Sequence, residues 1–381
     1  MKVIRCLGFL IMNLLVGCTV ERTPTQGETQ EIVIDHFVSS RPENVSWGWF
    51  PLDKDPVITI QSGQVVKIDA LSQAGASQDE HPVTFLGNLG LPEDEIHQDV
   101  LDFWNSREGR PREGRSSHVI TGPIHIEGAV PGDVLEIQIL DMETRASWGI
   151  NSTNPRGGIF SENYPGAQQD QPSSGMSGRV NHLIRTSQRG SKEVALFSDD
   201  IQVPLDPFMG ILAVAPDPQP GEPGVTDSGV QGSRPPGKFG GNLDVKDLKK
   251  GATLYLPVLQ PGGLFYVGDP HGAQGDGEVS GTAIEQSMTG TFKFVLHRNK
   301  QANGPRAEND THYIFMGIDL DLDRAAVKAT SEAVNFLVEE MGLAPDAALS
   351  LSSIALDLRI SEVVDLTQVV SGFIPKNIFI R

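Results

Sequence analysis

Cysteine is almost missing from this chain of 381 residues, which has only Cys6 and Cys18. Both lie at the start, in what reads as a processed and modified segment, so no thiol is left for disulfides or for a cysteine nucleophile. Basic residues are also short: 30 Lys and Arg stand against 49 Asp and Glu, a net charge of −19. Such a surface repels phosphate backbones, and DNA and RNA are set aside as partners. Aromatic residues make up 6% of the chain. Trp47, Trp49, Trp104 and Trp148 form no periodic strip, which speaks against the aromatic platform of a sugar-binding sandwich.

The N-terminal apolar run LGFLIMNLLVG follows Lys2 and Arg5. It is too short to be a stable membrane span, and its charge-then-apolar order is that of a secretory signal. It ends in Leu15-Val16-Gly17-Cys18, which resembles the lipobox of bacterial lipoproteins. That resemblance implies a signal peptide over 1–17, lipidation of Cys18, and anchoring in the bacterial cell envelope. Thr19 after the cysteine implies the periplasmic face of the outer membrane in a Gram-negative host. An ordinary signal peptide that happens to end in Cys is the competing reading. The polar stretch TVERTPTQGETQE then makes 18–31 a flexible tether.

From Ile32 to about residue 310 the texture is β: short apolar alternations broken by Pro and Gly. A turn followed by an alternating strand occurs at Ser62–Leu71, at Pro131–Leu140 and more loosely at Lys250–Leu259. Duplication or convergence on common turn chemistry explains this equally well. The alternation places Val66, Ile68 and Ala70 on one face of the first copy, with Lys67 and Asp69 on the other. Two loops stand out. Residues 151–180 are rich in Gly, Ser, Pro and Gln and read as a mobile lid. Residues 215–242 begin Pro-rich and read as a stiff spacer. Ser173-Ser174-Gly175 is rejected as a nucleophile segment, because it lacks a neighbouring helix and lysine.

Residues 311–381 change character. THYIFMGIDLDL predicts a strand. Asp323 then predicts an N-cap, and Ala326, Ala329, Val334, Leu337 and Val338 fall at helical spacing before Gly342. A second short helix and a strand follow, which makes this an α+β subdomain.

TGPIHIEGAVPGDVLEIQILDME (Thr121–Glu143), MGILAVAP (Met209–Pro216) and the long run GGNLDVKDLKKGATLYLPVLQPGGLFYVGDPHGAQGDGEVSGTAIE (Gly240–Glu285) resemble the acetamidase/formamidase family of metal-dependent amide hydrolases. The resemblance spans most of the chain beyond about residue 35. It implies a β-sandwich of jelly-roll or CUB-like type, a small β-barrel-like unit, the α+β tail and a homo-oligomer, a dimer or higher. The insert between the first two strand copies, SQDEHPVTFLGNLGLPEDEIHQDVLDFWNSREGRPREGRSSH, departs from the family where a substrate pocket would be shaped.

Amide hydrolysis needs a strong nucleophile, an oxyanion stabiliser and a proton for the leaving nitrogen. Without a thiol or a serine triad, water activated by a divalent metal is the economical source of the nucleophile. Asp269 and His271 lie two apart, so in extended backbone both side chains leave on one side. With Asp244, and with Asp69 from a distant strand, they form a candidate N/O ligand set. Zinc suits it best, with calcium or another divalent ion as the alternative. The competing reading has Asp269 and Asp276 merely capping turns.

Glu278 and Glu127 are the acid/base candidates, Glu278 preferred for its nearness in sequence to Asp269 and His271; a solvated glutamate is the default for either. Backbone amides of Gly275 and Gly277, or of Gly240 and Gly241, are candidates for an oxyanion hole. Asn242 is a candidate to orient the substrate amide. Among the scattered histidines His36, His118, His125 and His182, His118 has the best claim to a role. The expected function is hydrolysis of a small linear amide to carboxylate and ammonia. The alternative is a lipoprotein that keeps the amidase fold and only binds a small ligand.

Overall fold

The computed structural model describes residues 32–112, 116–161, 164, 176 and 178–380. Cys6, the Cys18 lipidation site, the tether up to residue 31 and Ser173-Ser174-Gly175 lie outside the described residues. The described residues from Ile34 onward pack as one unit.

Two sheets build the body. The larger has nine strands in the order His36–Val38, Val65–Ala70, Met288–His297, Val134–Thr144, Thr253–Pro257, Arg306–Glu308, His312–Asp319, Thr367–Pro375 and Asp357–Asp365. The second runs Gly240–Asn242, Phe208–Ala213, Phe265–His271, Val119–Ile126 and Val45–Trp47, with Ile58–Ile60 also paired to Val119–Ile126. Alternation along the strands turns Val66, Ile68, Leu135, Ile137, Phe292 and Phe294 of the first sheet inward. There they share one buried core with Ile120, Ile124, Ile211, Phe265 and Val267 of the second. The three turn-strand copies become neighbours in the large sheet, since Val65–Ala70 and Val134–Thr144 flank Met288–His297, and Thr253–Pro257 pairs with Val134–Thr144.

The expected barrel-like unit is not found among the described residues. In its place is an open antiparallel sheet in the order Ile201–Pro204, Lys192–Ser198, Val180–Arg189 and Trp148–Thr153. Closure requires the first and last strands to pair, and here Ile201–Pro204 pairs only with Lys192–Ser198. The protein is therefore mainly β, with four α-helices among the described residues.

Two of these helices, Pro82–Asn88 and Gln98–Asn105, come from the insert. They bury Leu86, Val100 and Phe103 beside Trp47 and Trp148. The other two, Leu322–Glu339 and Pro345–Ala355, belong to the tail, whose strands extend the nine-stranded sheet. The N-cap of Leu322–Glu339 is Asp321, whose Oδ1 accepts from Arg324 N at 2.9 Å, and not Asp323, which sits in the first turn. The buried face is Ala325, Ala329, Ala333, Phe336 and Leu337. It shares Ala329 and Leu337 with the expected face, Val334 and Val338 pack at its margin, and Ala325 and Ala329 are small where the helix crosses Gly317. A Cβ on Gly317 would strike the backbone of Ala325 and Ala329.

Candidate active site

The strand Phe265–His271 delivers Asp269 and His271, both buried, at one end of the six-stranded sheet. Asp244 follows the short strand Gly240–Asn242, and Glu278 and Glu285 lie in the segment beyond His271. Asp365 and Glu362 arrive from the tail strand Asp357–Asp365. Asp244, Asp269 and His271 each offer a ligand atom within 4.8 Å of the others; so do His271, Glu278 and Glu285, and likewise Asp244, Glu278 and Asp365.

His271 is the hub. Its Nε2 lies 3.4 Å from both Asp269 Oδ2 and Glu285 Oε1, and its Nδ1 is 3.6 Å from Asp244 Oδ1. Gln274 Oε1 meets Nδ1 at 2.9 Å, while Gln274 Nε2 donates to the Asp244 carbonyl at 2.8 Å. The Phe208 ring packs edge-on against the imidazole. His118 adds a second imidazole, with Nε2 3.7 Å from Asp269 Oδ2 and Nδ1 held among Ser233 and Ser116 hydroxyls at 3.1 and 3.2 Å.

The backbone is strained where the carboxylates are set. Six non-glycine residues among those described have positive φ, and Asp244, Asp269 and Glu278 are three of them, at 48°, 52° and 45°. Such conformations cost on the order of 1–3 kcal/mol each and collect at functional sites. Gly210 explains how Asp244 and Asp269 come together, since a Cβ there would strike Asp244 Oδ1 and lie 3.1 Å from Asp269 Oδ2.

Satisfaction is incomplete. Asp244 Oδ1, His271 Nε2, Asn242 Oδ1 and Glu362 Oε1 are buried with no hydrogen-bond partner. Burial, together with the nearby Glu278 carboxylate, pushes Asp244 well above the ordinary carboxylate range. Burial likewise raises Glu278, with Asp365 and Glu285 adding to the effect. Glu285, Glu362 and Asp365 are raised too, in each case by burial first. Asp269 is the exception: burial alone would raise it, but His118 and His271 hold it below its usual range. His271 is pushed down by burial and more strongly up by Glu285 and Asp269.

The other sequence candidates fall elsewhere or take different roles. Asp69 joins none of the three groups. Its Oδ1 accepts from Thr289 Oγ1 at 2.6 Å and faces Arg145 Nε at 3.9 Å. Arg145 in turn donates to Asp99, so Asp69 belongs to a separate ion-pair network. Glu127 is exposed and accepts from Gln61 Nε2 at 3.2 Å. It lies at the far end of the strand that begins after His118, roughly 25 Å away at the usual rise per residue. Asn242 is buried, and its Nδ2 braces Asp244 Oδ2 at 2.8 Å and Asp365 Oδ2 at 3.0 Å. Gly241 packs under the Phe239 ring, Gly275 is exposed, and the Gly277 amide already donates to the Ser361 carbonyl. Sequence reasoning assigned no role to Glu285, Glu362, Asp365, Gln274 or Gln73. Glu285 closes the segment that carries the resemblance, whereas nothing local marks Asp365, which reaches the site only through the sheet's topology.

At one end of the six-stranded sheet, carboxylates from separate segments thus gather around a buried histidine. The acetamidase/formamidase family model matches residues 111–220 and 224–381, and the chain belongs to that family. It is 26% identical over 359 residues to a formamidase of Methylophilus methylotrophus, covering 78% of this chain and 88% of that protein. It is 30% identical over 199 residues to an acetamidase of Mycolicibacterium smegmatis, covering 43% of this chain and 49% of that one. Among solved structures, an acetamidase from Bacillus halodurans superposes with a TM-score of 0.69 at 27% identity, covering 90% of this chain and 98% of that one.

The raised carboxylates predict how stability depends on pH in protein treated with a chelator. Asp244, Glu278 and Glu362 favour the fold while protonated. Their contribution is fully present below their ordinary values of 3.8 and 4.5 and is lost as pH rises through the raised folded values. His271, also raised, changes in the same direction. Calorimetry of chelator-treated protein should show Tm falling as pH rises from about 4.5 toward neutrality. A Tm that is flat or rises over that interval contradicts this reading.

Proposed function

We propose that the protein hydrolyses the C–N bond of a small linear amide, releasing a carboxylate and ammonia, at the centre formed by Asp244, Asp269, His271, Glu278 and Glu285. Membership of the acetamidase/formamidase family, and relatives that are a formamidase and an acetamidase, support this activity. The observation that carries the assignment to this place is the pair of buried, unpartnered ligand atoms, Asp244 Oδ1 and His271 Nε2, among carboxylates that face one another.

Asp244, Asp269 and His271 would hold a divalent cation. The mixture of imidazole and carboxylate, and the space that Gly210 leaves between the two aspartates, suit zinc first and calcium or another divalent ion second. When bound, such an ion supplies Lewis acidity, polarising a carbonyl and acidifying water.

The chain's own residues do the rest. Gln274 and Phe208 fix the plane of the His271 ring, and Asn242 fixes Asp244. Glu278, whose hold on its proton is strengthened by burial and by its acidic neighbours, is the donor of the proton that the leaving nitrogen requires. Asp269, held ionised by two imidazoles, accepts hydrogen bonds and does not donate.

Glu278→Gln should lower kcat for formamide or acetamide by about 10²–10⁴-fold with a much smaller change in KM. Glu127→Gln should stay near wild type. Ammonia release from both variants is the check, and a Glu278→Gln enzyme with wild-type kcat excludes this residue from proton transfer.

The run Leu15-Val16-Gly17-Cys18 supports a lipid anchor in the cell envelope, and the family resemblance supports a homo-oligomer. Cys18→Ala should move the protein from the membrane to the soluble fraction; retention in the membrane fraction contradicts the anchor.

A further inference from the structure

Gln73, just past the strand Val65–Ala70, sends its side chain into the centre. Its Nε2 donates to Asp269 Oδ1 at 3.2 Å and to Glu285 Oε2 at 3.3 Å, while its Oε1 accepts from Ser117 Oγ. The orientation of the amide is fixed by charge, since a flipped group would set its carbonyl oxygen against two carboxylates. The remaining oxygens of the same carboxylates, Asp269 Oδ2 and Glu285 Oε1, face His271 Nε2. The Gln73 carboxamide therefore bridges on one side the two acids that His271 bridges on the other.

The acceptors are deeply buried, at 3% and 1% exposure, whereas Gln73 and Ser117 are half-buried. The side chain approaches from the solvent side and covers them. Its backbone is tied down: the Gln73 carbonyl accepts from Ala76 N and Ser77 N, and Ser72 N donates to Ser287 Oγ. Only rotatable side-chain bonds need change for the amide to leave.

A glutamine side chain ends in the functional group –CO–NH2, and here both of its N–H donors and its carbonyl oxygen are matched. Two carboxylates take the two N–H bonds and a hydroxyl serves the carbonyl. We infer that the Gln73 carboxamide occupies the position of the substrate's amide group, as an internal plug that a primary amide must displace. This rests on the hydrolase reading for the word substrate, and it gives a physical reason for the unsubstituted nitrogen that release of ammonia requires. An N-alkyl amide cannot satisfy both Asp269 and Glu285, and a buried acceptor left unpaired is costly.

A site occupied by its own plug binds ligand more weakly by the fraction of time that it stands open. Calorimetric titration of the purified protein with methyl carbamate, a slowly hydrolysed compound with the same –CO–NH2 group, gives the affinity without turnover. Gln73→Ala should bind it about tenfold more tightly than wild type, and KM for acetamide should fall by a similar factor. Methyl N-methylcarbamate should bind both proteins about tenfold more weakly than methyl carbamate. Where Gln73→Ala folds poorly, Gln73→Ser, which also cannot reach the two acids, replaces it.

Equal or weaker binding by the variant overturns the plug, as does failure of either protein to bind methyl carbamate. A role in merely orienting the acids would lower kcat and leave affinity unchanged. The hydrolase reading is judged separately: a wild-type protein that releases no ammonia from any amide refutes that reading, while the ratio of affinities still decides the plug.

Discussion

The fold is organised around an electrostatic debt: carboxylates buried against one another with too little positive charge to balance them. Asp244, Asp269, Glu278 and Glu285 close on the His271 imidazole, Asp365 joins Asp244 and Glu278, and His118 and Arg234 stand at the margins. Burying an ionised carboxylate without a partner costs several kcal/mol, and such groups either take up protons or gather around a cation. The rest of the structure is arranged to hold them there. The sandwich core fixes the strands, Gly210 leaves room between Asp244 and Asp269, and positive φ at three acidic residues turns their side chains inward.

The same constraint separates the roles of chemically similar groups. Both acids face His271, but Asp269 has a second imidazole in His118 and is held below its usual range, whereas burial raises Glu278 against His271, with Asp365 and Glu285 adding to the rise. Chemically similar groups in one centre thus shift in opposite directions because their neighbours differ. The Gln73 carboxamide fits the same pattern, since it gives N–H bonds to Asp269 and Glu285.

Much of this was legible in the sequence, for identifiable reasons. Alternation over Val65–Ala70 and the turn-strand repeats read directly as strands because a half-buried strand imposes a period of two. Asp269 and His271 could be grouped from spacing alone, and Asp244 from its glycine-rich approach. Asp69 could not be placed. Its strand face was readable, but only the three-dimensional packing reveals that Arg145 and Thr289 occupy its carboxylate. Glu127 illustrates the same limit, since periodicity says which way a side chain points and not at which end of a sheet it sits. Asp365 and Glu362 were invisible because the tail reads as a separate α+β piece, yet its strands continue the large sheet and carry two acids to the centre. The helix face was legible in part: Ala329 and Leu337 are buried and Ala326, Val334 and Val338 pack at its margin, whereas Ala325 and Ala333 were passed over because periodicity gives no sign of the close contact with Gly317.

The most direct test is to count metal per chain in the active protein while measuring ammonia release as the ion is withdrawn and returned. The account predicts about one divalent ion per chain at this centre, with activity rising and falling in proportion to its content. Full activity from chains that hold no divalent ion would contradict it.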